Sequence, residues 1–259
     1  MDSATITILD AAGDTVRSLT GTTKKGLNRV MWDLNGEGTK PAKLRTAPQY
    51  APYIQIPEGG RNAPDVGAFS LLYPPGSYTA TLTVGDQEFS QPLLVLKDPV
   101  SGGSEAEIQT QFVAMRDIRN DYKQGVEMIN AMEVVRAQLV SIKGVLGDDD
   151  KAKAVRAAAD SLNDKIVAVE GELTQLQLTG RGQDGVRYPS KLMSKLGYVA
   201  GGMEGSDFAP TTQQREVATM LKAQLAELKA KYDALMASDL PAFNRLLTER
   251  GMTGVFISP

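Results

Sequence analysis

The 259-residue chain contains no histidine and no cysteine, and each absence closes off a class of chemistry. Without cysteine there is no disulfide, no thiol nucleophile and no Cys-based zinc site. Without histidine a Ser-His-Asp triad cannot form, and the Glu-x-x-His pairs of di-iron helical proteins are missing. Long apolar runs are also lacking: stretches such as Pro92–Leu96 fall far short of the roughly 18 residues a membrane helix needs, so no membrane span is expected. Basic charge is not in excess either. The net charge is -3, with nine acidic and nine basic residues through Lys97, which argues against a nucleic-acid partner. Met1-Asp2-Ser3-Ala4-Thr5 has neither a basic n-region nor an apolar h-region, so no secretion signal is visible.

What is present is an ordinary globular composition, 42% hydrophobic and 23% charged, long enough for two cores. The hydrophobic period changes once, at Lys97-Asp98-Pro99, from two residues to three or four. This predicts an α+β multidomain protein: an N-terminal antiparallel β-sandwich over 1–98, an antiparallel helical bundle over 104–251 and a tail over 252–259. A joint this short between the modules favours fixed packing over free motion.

In the first module, Thr5–Leu9 and Thr15–Leu19 alternate around an Asp10–Asp14 turn and predict a hairpin. Leu27–Leu34 reads as a further strand, with Trp32 in the core. Gly76–Val84 and Gln87–Leu96 flank Gly85-Asp86 and predict a second hairpin, with Tyr78, Ala80, Leu82 and Val84 on one face. Between them, residues 36–75 hold seven of the 13 prolines, at 41, 48, 52, 57, 64, 74 and 75. Such a long irregular excursion is expected to be functional or packed at an interface. Its aromatic residues Tyr50, Tyr53 and Tyr73 are the candidate binding residues, for a sugar ring or a protein partner. The competing reading has them pin the excursion to the fold.

In the second module, Ser104-x-x-Glu107 forms a capping box ahead of a helix of about 40 residues. Its core stripe runs Ile108, Phe112, Met115, Ile118 or Arg119, Tyr122, Val126, Ile129, Met132 or Glu133, Arg136 and Leu139. Gly125 lies inside it at a cost of about 1 kcal/mol. A second helix is predicted from about Lys151 to Leu178, a third from Pro189 to about Ala200, and a fourth after the Thr211-x-x-Gln214 cap. Asp239 and Pro241 start a last one that stops at Gly251. Val255-Phe256-Ile257 reads as a strand or an apolar tail that docks on a neighbouring molecule.

Other motifs favour structural readings. Asp148-Asp149-Asp150 could collect oxygen ligands for calcium, but it lacks Asp-x-Asp-x-Asp-Gly spacing and sits at a helix start, where acids cap. Gly180–Gly185 is glycine-rich but lacks Gly-Lys-Ser/Thr and follows a helix, so it reads as a linker. No catalytic residue, metal site or cofactor is predicted. Glycoside hydrolysis needs only two carboxylates, and no spacing here selects a pair.

The run Ile8–Leu19, then Gly26–Leu34, then Pro74–Leu82 resembles the Ig-like, FnIII-like domain of flagellar hook-capping proteins. With the helices behind it, the chain looks most similar to the C-terminal region of sortilin-like, Asp-box (BNR) repeat β-propeller proteins labelled glycosyl hydrolases. The resemblance implies a noncatalytic structural or interaction region of a larger exported (periplasmic or extracellular) protein, partnered by that protein's own propeller. No Ser-x-Asp-x-Gly-x-x-Trp motif is present, so the propeller and its catalytic residues would lie outside this chain. In such proteins a further strand usually precedes the Ile6–Ile8 strand, which implies a fragment whose sandwich lacks its first strand. Two alternatives follow: part of a glycosyl hydrolase whose active site lies mainly in the propeller, or a hook-capping-like assembly module that oligomerises through the sandwich.

Overall fold

The computed structural model describes residues 4–147 and 149–257. The chain is mixed α and β. Strands β1 (Ala4–Leu9), β2 (Thr15–Gly21), β3 (Lys43–Leu44), β4 (Arg61–Asn62), β5 (Gly76–Val84) and β6 (Gln87–Val95) precede the helices. These are α1 (Glu105–Val145), α2 (Asp150–Leu173), α3 (Asp184–Arg187), α4 (Leu192–Glu204), α5 (Thr212–Ala234) and α6 (Leu240–Thr248). The chain forms two compact units interleaved in sequence. One comprises Met1–Thr39, Phe69–Arg119 and Ala200–Arg215; the other comprises Lys40–Ala68, Asn120–Val199 and Glu216–Pro259. The switch of secondary structure at Lys97–Pro99 therefore lies inside a unit.

The first unit is built on a four-stranded antiparallel sheet in the order β2-β1-β5-β6. Both predicted hairpins form. Directly opposed residues share a face, so the ladder places Leu19, Ile6, Leu82 and Phe89 in one row, with Thr20, Thr5, Thr83 and Glu88 in the neighbouring row behind. One face is thus apolar and the other rich in hydroxyls. Ile8, Val16 and Tyr78 are buried on the apolar side, where Ile6, Trp32, Tyr73, Ala80, Leu93 and Val95 pack on them. Pro92, opposite Thr79, falls on an edge strand where its missing N–H is tolerated.

Leu27–Leu34 does not form the predicted strand. Local bonds compete with a ladder there: Asn28 Nδ2 donates to the carbonyls of Lys24 and Gly26, and Trp32 Nε1 donates to that of Asn35 at 2.9 Å. Leu34 adopts φ +63°, which breaks extended backbone. Past this kink the chain does pair with residues 69–73. Gly36 N donates to Leu71 O, Tyr73 N to Leu34 O and Thr39 N to Phe69 O, each at 2.8 Å.

The predicted capping boxes form in the same unit. Ser104 N donates to Glu107 Oε2 at 2.9 Å while Glu107 N donates to Ser104 Oγ, and Thr211 and Gln214 repeat the exchange. α4 runs to Glu204, past Gly201-Gly202 where a stop was predicted. Its end is held by side-chain amides, because Gln111 Nε2 donates to Met203 O at 2.7 Å and Gln214 Nε2 to Gly202 O at 2.9 Å.

In the second unit, contacts between α1 and α2 step in opposite directions. Lys143 reaches Asp160, and Arg136 reaches Asn163 and Glu170, so the two helices are antiparallel. α2 stops at Leu173, earlier than predicted, because Thr174 Oγ1 and Gln175 N both donate to Asp65. Asp239 does not cap α6. Its backbone is helical, a π-helical segment Leu235–Asp239 carries α5 into α6, and its carboxylate pairs with Lys165. The wider turn accommodates Pro241, whose missing N–H would interrupt an α-helix. Residues 255–257 form no strand; Asn244 Oδ1 accepts from Val255 N and Gln138 Oε1 from Phe256 N, docking the tail on this same chain.

Gly125 lies mid-helix on α1 against Met193 of α4, and a Cβ there would collide with the Met193 sulfur. Its helix cost of about 1 kcal/mol is offset by that close approach. Gly125→Ala is expected to lower stability by about 1–2 kcal/mol in urea unfolding, because overpacking outweighs the gain in propensity. In a Met193→Ala background the same substitution becomes stabilising; equal effects in both backgrounds would refute the packing explanation.

Candidate functional site

The three predicted tyrosines lie in two different environments. Tyr50 and Tyr53 follow Pro48 and Pro52 in consecutive turns, in which Ala51 N donates to Pro48 O and Ile54 N to Ala51 O, both at 3.0 Å. The two residues are 67% and 74% exposed, so they do not pin the excursion. Tyr73 belongs to the other unit and is half-buried there. It tilts onto Phe112 at 5.0 Å between ring centroids and meets Tyr78 edge-on at 6.3 Å, while Tyr78 meets Trp32 edge-on at 5.4 Å. Gly36 permits this, since a Cβ would strike the Tyr73 ring. Tyr78 Oη donates to Pro74 O at 2.6 Å, and burial pushes its hydroxyl up to about 12.

Tyr73 lines a cavity of about 200 Å3 in the first unit, together with Phe112, Met115, Asp98, Glu204 and Asp207. Apolar walls and a carboxylate rim could receive a small ring. Two of the polar groups already have work: Gln111 at the rim bonds the end of α4, and Asp98 Oδ1 accepts from Val100 N at 2.8 Å.

The most perturbed ionisable group lies in the second unit. Glu133 and Arg136 are one turn apart on α1 and face Glu170 on α2; both carboxylates have 0% exposure. Glu133 Oε2 accepts from Arg45 N and, at 2.8 Å, from Thr46 N, and its Oε1 accepts from Thr46 Oγ1 at 2.8 Å. Arg136 Nη1 donates to Glu133 Oε1 and, at 2.9 Å, to Glu170 Oε2, while Arg136 Nε donates to Asn163 Oδ1. One cation thus serves two acids. Burial first, and then the charge of Glu133, raise the Glu170 carboxyl well above its ordinary value despite Arg136. The buried site therefore favours the neutral form of Glu170.

Beside the cluster is a cleft of about 210 Å3 lined by Thr46, Gln49, Arg61, Glu133, Arg136 and Asn163. A perturbed acid in a cleft is a recognised sign of function, but Glu133 is fully engaged by donors from residues 45, 46 and 136. The arrangement binds backbone; it does not present a free base. The sequence did carry a signal for it: Glu133 and Arg136 stand at core-stripe positions of α1, where a charge must be paired if buried.

Within the acidic run, Asp149 is a helix cap and Asp150 pairs with Lys153. Asp149 Oδ1 accepts from Ala152 N at 2.7 Å at the start of α2, and Asp148 lies outside the described residues. Among the described residues no group of three or more acidic side chains is placed to hold a metal ion, and no helix is long and apolar enough to cross a membrane. No family model, curated protein or solved structure matches the chain.

Between the ordinary carboxylate value of 4.5 and the elevated value of Glu170, the folded chain holds a proton that the unfolded chain has released. Stability is therefore full below the lower value and falls as pH rises through the higher one. In urea unfolding from about pH 5 to about pH 9, Glu170→Gln is expected to flatten this decline; an unchanged slope would place the proton elsewhere. Glu133→Ala should cost about 3–5 kcal/mol, because it strands Arg136 and two backbone N–H groups.

Proposed function

We propose that the chain is a noncatalytic structural or interaction region of a larger exported propeller protein, as its resemblance to the C-terminal regions of Asp-box proteins implies. The observation that carries this reading is the incompletely covered apolar side of the β2-β1-β5-β6 sheet. Leu19, Ile6 and Leu82 are partly exposed and Phe89 is 57% exposed, while Leu27 and Met31 nearby in sequence are 95% and 78% exposed. Apolar surface left open in this way marks an interaction face.

We read the sheet as the larger leaf of an Ig-like or FnIII-like sandwich and the helices as an antiparallel bundle. Two features support the sandwich: the paired segments 34–39 and 69–73, and the Tyr78 hydroxyl bonded back to Pro74, which matches the tyrosine corner of such domains. The hook-capping alternative uses the open sheet face for self-assembly.

A carbohydrate partner is favoured at one place, the Tyr73 cavity, where an aromatic wall meets Asp98, Glu204 and Asp207. The genomic reading frame tests the leading proposal directly: Asp-box repeats encoded ahead of this region support it, and a frame without them overturns it. Hydrolysis of a glycan panel by the chain should be undetectable. Turnover abolished by Glu204→Gln or Asp207→Asn would instead favour the glycosidase reading.

A further inference from the structure

Three cations in the second unit have no acceptor assigned among the described residues. Lys43 and Arg45 flank Leu44, which is buried at 1% exposure. In extended backbone, side chains two apart point the same way, so burying Leu44 turns both cations to the opposite side. There, with Lys40, they line a cleft of about 510 Å3 whose far wall is α1, through Glu127, Asn130 and Val134. The cleft is held in place from beneath. Lys43 N donates to Asn130 Oδ1 at 2.7 Å, Asn130 Nδ2 to Pro41 O at 3.3 Å, and Arg45 N to the buried Glu133.

The charge in this cleft is unbalanced. Against three cations stands one carboxylate, Glu127, which is itself shared with Lys123 at 3.8 Å. Arg45 Nε is shielded from solvent and has no hydrogen-bond partner among the described residues, so a buried donor awaits an acceptor. Apart from Asn130, the rest of the lining, including Ala131, Val134 and Ile257, is apolar. A net positive charge of two on a chain of net charge -3 is local and cannot come from overall composition.

We propose that this cleft binds a small organic oxyanion, with Lys40, Lys43 and Arg45 holding its anionic oxygens and the Ala131–Val134 side receiving its apolar portion. Guanidinium and ammonium groups converging on one cavity suit carboxylate or phosphate oxygens. The site is separate from the tyrosines and from the apolar sheet face, so it stands or falls independently of the propeller reading.

Isothermal titration calorimetry of the whole chain at low ionic strength, with inorganic pyrophosphate and succinate as probes, tests it and separates a phosphate ligand from a carboxylate one. Saturable one-to-one binding of at least one probe is expected, weakened roughly tenfold or more by Lys43→Ala with Arg45→Gln. Arg45→Gln keeps the backbone N–H that Glu133 needs. Glu127→Gln, which removes the one acid facing the site, should tighten binding about threefold, an effect that misfolding could not mimic. Saturation by neither probe overturns the proposal, as does unchanged affinity in the double variant or weakened affinity in Glu127→Gln.

Discussion

The arrangement of the second unit depends on one buried carboxylate. Residues 40–68 form almost no ladder of their own, β3 and β4 being two residues each, yet their backbone polar groups still need partners. Glu133 supplies two of them by accepting from Arg45 N and Thr46 N. Asn130 holds the chain two residues earlier through Lys43 N, and near its other end Asp65 accepts from Thr174 and Gln175. The proline-rich excursion is thus ordered by three side chains that take the place of neighbouring strands. Arg136, which donates to both Glu133 and Glu170, makes it tolerable to keep these carboxyl groups out of water.

Local signals were legible in the sequence where short-range chemistry decides the outcome. Both hairpins, the Ser104 and Thr211 caps and the α1 stripe follow from alternation, turn residues and side chains three or four apart. Misreadings arose where distant partners intervene. Leu173 ends α2 because of Asp65, more than a hundred residues earlier, and α4 outlasts Gly201-Gly202 because Gln111 accepts the role of C-terminal donor. Asp239-Pro241 looked like a helix start because a π-helical turn leaves no trace in composition. Leu27–Leu34 alternates convincingly, but Asn28 and Leu34 bend it out of a ladder.

The candidate residues divide in the same way. Tyr73 was singled out for its neighbours in sequence, and it sits among aromatic rings that only the fold assembles. Glu133 is one of two choices for a stripe position of α1, and a carboxylate there is the more informative residue. Lys40, Lys43 and Arg45 look like an ordinary basic run until burial of Leu44 turns the last two to one side. A charge that breaks an apolar period thus says more about long-range structure here than the period does.

The interleaving of the two units bears on how the chain is made. A ribosome releases β1 and β2, then residues 40–68, long before Glu133 and Thr174 have been synthesised. The excursion must wait for partners 87 to 110 residues downstream, while β5 and β6 can already complete the four-stranded sheet. Contacts so distant in sequence slow folding and expose intermediates. The prolines that crowd this segment restrict its conformations while it waits, so less entropy is lost when the helices arrive to order it.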